Sequence, residues 1–166
     1  MKQQYLPVKD NAECEGMIAG TFQGVLCMAL DGEPYAVPVN HAYQDGRFYF
    51  HCATTGRKLD TIAQNPKVSY VITRFYGDRR DLDKSLKCHG PWESVIAYGK
   101  ARVVTEQDEL IRTFKTFMAY FGEPDYQHGE NLLQNTKVIV IEVERMTARR
   151  EYDEFRTDYW YWERDA

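Results

Sequence analysis

A small antiparallel β-barrel with helices attached to it is the fold that this chain predicts. Short runs rich in β-branched and aromatic residues, roughly six of them, are bounded by Gly, Asp and Pro signals. Their connections are mostly too short for the crossover helices that parallel strands require. The helical patterns are few, and no Gly-x-Gly-x-x-Gly opens any of them, which excludes a doubly wound dinucleotide fold. The class is therefore mainly β, a β-barrel with flanking helices.

Taken in chain order, Asp10 to Ile18 is a short, weak helix candidate interrupted by Gly16. Gly24 to Leu30 reads as a strand and Asp31-Gly32-Glu33 as its turn. Pro34 to Tyr43 is a second strand, Gln44-Asp45-Gly46 the next hairpin turn, and Arg47 to Cys52 a third strand. Leu59, Ile62 and Ala63 recur at helical spacing, so a helix spans Thr55 to Asn65, with a threonine as its ordinary cap, and stops at Pro66. A fourth strand, Lys67 to Arg74, completes a β-meander with one helix inserted. Phe75 to Pro91 is charged and aperiodic and reads as a surface loop, after which Trp92 to Val104 is a long strand. Thr105 caps the longest helix, Glu106 to Phe121, whose Leu110, Ile111, Phe114, Phe117, Met118 and Phe121 form one apolar core stripe. The last strand runs from Thr136 to Met146, and its Val138-Ile139-Val140-Ile141 run predicts burial on both faces.

The chain's 166 residues suffice for one domain with a real core. A net charge of −4 without any basic run argues against a nucleic-acid binder. No apolar stretch reaches the roughly 20 residues of a membrane span. The opening residues, Met1 to Pro7, lack the apolar centre of a signal peptide. A cytoplasmic location is expected, and with it free thiols at Cys14, Cys27, Cys52 and Cys88.

Chemistry gathers around the third strand. Directly after it, Arg57 and Lys58 stand where the helix starts, with Thr54, Thr55 and Gly56 beside them. The first turn of a helix exposes N–H groups and a partial positive charge, so each cation there costs about 0.3–1 kcal/mol. A phosphate between them would reverse that cost; a solvated Arg-Lys pair is the plain alternative. The second strand, split by its period of two, shows Tyr35, Val37, Val39, His41 and Tyr43 on one face. The other face carries the small or polar Ala36, Pro38, Asn40 and Ala42. Pro38 removes a ladder donor, as it would in any edge strand, but small side chains and free backbone groups also suit a planar ring. Together the two elements point to a planar, phosphorylated ligand.

The run from Gly24 to Cys27, Asp31-Gly32-Glu33-Pro34-Tyr35-Ala36-Val37-Pro38-Val39-Asn40, Phe48 to Ala53 and Gly56-Arg57-Lys58 resembles the FMN-binding split barrels related to pyridoxamine 5'-phosphate oxidase. With Glu93-Ser94-Val95-Ile96-Ala97-Tyr98-Gly99, it is most similar to the branch named for 5-nitroimidazole antibiotic resistance. The resemblance covers residues 16–147. It implies an antiparallel split barrel that forms a homodimer with FMN at the interface. It further implies that Val37, Pro38, Val39, Asn40 and His41 border the flavin ring, that His51 and Cys52 line the site, and that Arg57 and Lys58 hold the phosphate. Trp92 and Ser94 would add contacts, often from the other subunit, and His51 would be the reactive, catalytic residue. The oxidase's own C-terminal substrate motif is not found, so the implied chemistry is reduction of a small electron-poor compound, a nitro compound or quinone, with NADH or NADPH as donor. A non-catalytic carrier or sensor is the alternative, and haem (on His41, His51 or His89) or a deazaflavin could replace FMN in such a barrel.

No metal site is expected, because His51-Cys52 and Cys88-His89 offer at most one ligand per face and no Cys-x-x-Cys is present. No hydrolase elbow surrounds Ser69, Ser85 or Ser94, and His128 reads as a loop residue. The domain is then a flavin-binding barrel over residues 1–147, with an aromatic extension over 148–166 in which Tyr152, Phe155 and Tyr159 share a helical face. Packing of this extension on its own barrel is expected; crossing a dimer to cover the flavin is the other reading.

Overall fold

The computed structural model describes residues 11–75, 92–127, 129, 134–151 and 157–163, with only the backbone described for 151 and 157–163. The loop over 76–91 with Cys88 and His89, His128, Tyr152 and Phe155 lie outside the described residues. Helix α1 is Asn11–Ala19, followed by strands β1 (Gln23–Leu30), β2 (Glu33–Asn40), β3 (Ala42–Gln44) and β4 (Arg47–Cys52). Helix α2 is Arg57–Gln64, and β5 (Lys67–Phe75) and β6 (Trp92–Val103) come next. Helix α3 (Gln107–Tyr120), β7 (Lys137–Glu151) and β8 (Thr157–Glu163) complete the order.

One antiparallel sheet of 8 strands runs β2-β1-β5-β6-β7-β4-β3, and β8 pairs with β7 off this path. The two ends of the path are consecutive in the chain, separated only by His41. The expected strand from Pro34 to Tyr43 is therefore two strands: its first part pairs with β1, its last part with β4, and the barrel closes through the backbone at the bend. The meander expectation changes accordingly, because β5 returns to β1 rather than to β4.

Both Asp-Gly turns behave as their sequence predicts. Asp31 and Gly32, and again Asp45 and Gly46, have positive φ, as two-residue antiparallel turns require. The Val138–Ile141 run is buried throughout, inside a strand of 15 residues that continues past Met146 to Glu151. Along that strand β4 takes the first stretch, from Lys137 to Glu142, and β8 takes the stretch from Arg145 to Glu151. Residues 157–163 are thus strand rather than helix, since the free edge of β7 offers backbone partners that an isolated helix would lack.

The main core joins Leu26, Phe48, Phe50, Tyr70, Ile139 and Ile141 inside the barrel with Met17 and Ile18 of α1. A second cluster packs Phe114 and Phe117 of α3 against Ala42, Tyr49, Val138 and Val140. The predicted α3 stripe therefore holds except at its end, where Phe121 is exposed. Glu106, not Thr105, is the N-cap of α3, and it makes no side-chain cap bond. Cys14, Cys27 and Cys52 are free thiols. Among the described residues no helix is long and apolar enough to cross a membrane, and no group of His, Cys, Asp or Glu could hold a metal ion.

Candidate functional site at the barrel split

In the β3–β4 ladder, Ala42 faces Tyr49 and Tyr43 faces Phe48. Continued one step past His41, this register would set Asn40 opposite His51 and Val39 opposite Cys52. It is not continued, because β2 has turned to β1 while His51 and Cys52 remain paired with Val138 and Lys137 of β7. The ladder divides there, a split with Val39 and Asn40 on the β1 side and His51 and Cys52 on the β7 side. Residues named from two distant stretches of sequence are the two lips of one opening.

Four residues separate the end of β4 from the start of helix α2. Gly56, not a threonine, is its N-cap, at φ 136° and ψ 162°, with no side chain to cap the first turn. This backbone region is open only to glycine. The helix is consequently shorter than expected, Arg57 to Gln64; the Gly56 carbonyl accepts from the Leu59 N–H, and no side chain caps the N–H groups of Arg57 and Lys58. The two cations diverge. Arg57 leans to the β2 side, 2.8 Å from Glu33 and with its guanidinium 4.5 Å from the centre of the Tyr35 ring. Arg57, Glu33 and Tyr35 border a cavity of about 360 Å³ that Leu30, Asp31, Asp60 and Thr61 also line. Lys58 leans to the β4 side, toward His51 and Cys52.

Burial is the larger influence on those two groups: it lowers the pKa of His51 and raises that of the Cys52 thiol. The His51 imidazole stands edge-on to Phe117, with centroids 4.9 Å apart, and 5.8 Å from Phe114. Neutral at pH 7, it can orient a partner or accept a proton, while Cys52 is a thiol. Val37 and Val39 pack against the core with their side chains half-buried, whereas Pro38 and Asn40 point outward and are exposed.

Other predicted residues lie elsewhere. Trp92 and Ser94 are on the outer face of β6, in register with Phe75 and Thr73, and alternate with the buried Glu93 and Val95. His41 is fully enclosed, with Nδ1 2.9 Å from the Tyr70 hydroxyl and Nε2 without a partner among the described residues. Burial holds its pKa down to about 4. Sequence reasoning missed Tyr70, Glu33 and the phenyl pair of α3 as neighbours of this region. Only Glu33, a carboxylate in the turn before the small-residue strand, carried any local signal.

An antiparallel barrel that divides at one strand, with helices attached to it, is the split-barrel class of fold. The family model described as pyridoxamine 5'-phosphate oxidase matches residues 10–150, and the chain belongs to that family. A Rhizobium meliloti protein of uncharacterised function is 30% identical over 96 residues, which are 58% of this chain and 56% of that protein, so the match spans about half of the relative's length. Among solved structures, a proposed 5-nitroimidazole antibiotic resistance protein of Bacteroides thetaiotaomicron superposes with TM-score 0.72 at 20% identity, over 87% of this chain and 86% of that one. A FAD-binding protein from Mesorhizobium loti gives TM-score 0.65 at 21% identity, over 85% and 94% of the two chains. The FAD and heme binding protein of Mycobacterium smegmatis gives 0.71 at 13% identity, over 96% and 76%. At these identities the structural likenesses establish the shared split-barrel fold.

Proposed function

We propose that this chain is an FMN-binding flavoprotein that reduces small electron-poor compounds, nitro compounds or quinones, with electrons from NADH or NADPH. The observation that carries the reading is the start of α2, where Arg57 stands beside Glu33 and Tyr35 of β2 and Lys58 acts on His51 and Cys52 of β4. The donor set there fits an anionic, planar cofactor: N–H groups uncapped by any side chain, a cation to each side, and strand edges with backbone groups to spare. In this reading Arg57 and Lys58, with the first N–H groups of α2, hold the phosphate. Val37, Pro38, Val39 and Asn40 border the ring, and His51 and Cys52 line its other side. The flavin, when bound, supplies the electron transfer, and the protein supplies position and charge. His51, neutral and braced by Phe117, orients the substrate rather than delivering a proton from an imidazolium.

The site is completed by a second copy of the chain. Pro38, Val25, Val71, Ile96 and Thr147 form one row across five strands on the outer face, and Val25 is 37% exposed. A row of this kind is suited to burial against another sheet. Trp92 and Ser94 lie on the same face, so they would serve the partner's flavin rather than their own.

The test is a visible absorption spectrum with mass analysis of what denaturation releases, followed by FMN titration of the protein freed of cofactor. A two-banded yellow spectrum and released FMN are expected, and replacing Arg57 and Lys58 together by Ala should weaken FMN binding by about 10- to 100-fold with the fold intact. A single intense haem band, or FMN affinity unchanged in the double variant, overturns the reading. Oxidation of NADPH on adding a nitro compound or quinone separates the enzyme from a passive carrier.

A further inference from the structure

Where the chain passes from β2 to β3, one residue is out of strand, and it is fully buried. The His41 backbone N–H donates to the Phe22 carbonyl at 2.8 Å. Its ring is 0% exposed and stands edge-on to both Phe48 and Tyr70. The Tyr70 hydroxyl, also fully buried, donates to the Val39 carbonyl at 3.1 Å and lies 2.9 Å from His41 Nδ1. A hydroxyl has one hydrogen to give. If that hydrogen goes to Val39, the His41 Nδ1–H must donate to the Tyr70 oxygen, and Nε2 carries the bare lone pair. The chain of donation then runs from His41 to Tyr70 to the Val39 carbonyl.

Two features show that this arrangement is built for. The Tyr70 hydroxyl occupies the place of a side chain at residue 24: a Cβ there would lie 2.8 Å from the oxygen, and the residue is glycine. The histidine also leaves Nε2 buried without a partner among the described residues, an unfavourable state that a phenylalanine or leucine would avoid. The bond made through Nδ1 is what the imidazole contributes and an apolar ring could not.

We propose that His41 and Tyr70 are positioning residues that set where the Val39–Asn40 edge lies across the split from His51. The inference rests on the flavin reading for its consequence, since that edge is the one assigned to the ring. Neither side chain would touch the flavin; both would act through the Val39 carbonyl.

Tyr70→Phe keeps the ring and removes the hydroxyl. In the cofactor-free variant, amide exchange over residues 39–42 should quicken about 10-fold, while amides at the centre of β6 and β7 keep wild-type protection. FMN affinity should fall about 5- to 10-fold, the loss expected for one buried hydrogen bond. The bound flavin's visible bands should shift. His41→Leu should behave alike, and His41→Asn, whose side-chain amide can donate from the Nδ1 position, should restore most of the affinity. Wild-type exchange at 39–42 in Tyr70→Phe overturns the proposal, as does loss of protection spread evenly over the barrel. Wild-type protein that takes up no FMN overturns the flavin reading instead, and exchange at 39–42 then decides the positioning role by itself.

Discussion

Glu93 and Glu33 each hold an arginine, in opposite surroundings. Glu93 is 2% exposed between Arg74 of β5 and Arg150 of β7, at 2.6 and 3.0 Å, in direct register across three strands. Arg74 further donates to the Gly20 carbonyl and Arg150 approaches Glu13, so the triad ties α1 to the sheet. Glu33 and Arg57 meet at 2.8 Å with 71% and 55% of their side chains exposed. A buried charge deprived of its partners is costly, while an exposed pair contributes little. The first contact is therefore part of the scaffold, and the second can be given up to an anionic ligand at almost no cost.

Breaking the scaffold contact should have the largest effect. Glu93→Gln leaves two guanidinium groups facing each other and should destabilise the fold by roughly 3–5 kcal/mol, read as a lower urea midpoint with an unchanged slope.

The same contrast separates two histidines in their response to pH. His41 is enclosed and titrates at about 4 in the folded chain, against 6.5 when unfolded. Between those values the unfolded chain binds a proton that the folded chain refuses. Its contribution is thus intact above pH 6.5 and is lost as the pH falls toward 4, on the order of 3 kcal/mol in all. Unfolding free energies from urea titrations at pH 7 and pH 4.5 should differ by about 2 kcal/mol more in the wild type than in His41→Asn.

The smallest effect sharpens the comparison from its exposed end. Glu33→Gln should leave stability within about 0.5 kcal/mol and tighten FMN binding about 2- to 5-fold, because Arg57 is released from a weak competitor. Isothermal titration at two salt concentrations measures it, and the gain should shrink at the higher one.

Much of this architecture was legible in the residues. Asp31-Gly32 and Asp45-Gly46 dictate their turns locally, and Val138 to Ile141 can hardly be anything but a buried strand. The resemblance brought the lip residues together on paper before the ladder did. What stayed hidden depends on pairing between distant segments. No local pattern says that Pro34 to Tyr43 changes partner at His41, since its period of two runs straight through the bend. The aromatic spacing in the tail suits a helical face, and only the free edge of β7 makes residues 157–163 a strand. Trp92 and Ser94 were named with Arg57, yet they sit on the outer face of β6, which the period of two alone does not orient.

The union of β4 with β7 has a consequence for how the chain reaches this state. Arg47 and Glu142 are bonded at 2.7 Å although 95 residues separate them. During synthesis the β1–β2 hairpin can form as soon as it emerges, and β5 and β6 can add to it in turn. The outer edge of β4 has no such early partner; it waits for residues 137–142, near the end of the chain. Loops of that length close slowly. The end of β4 that bears His51 and Cys52 therefore gains its ladder partners only once Lys137 and Val138 are available.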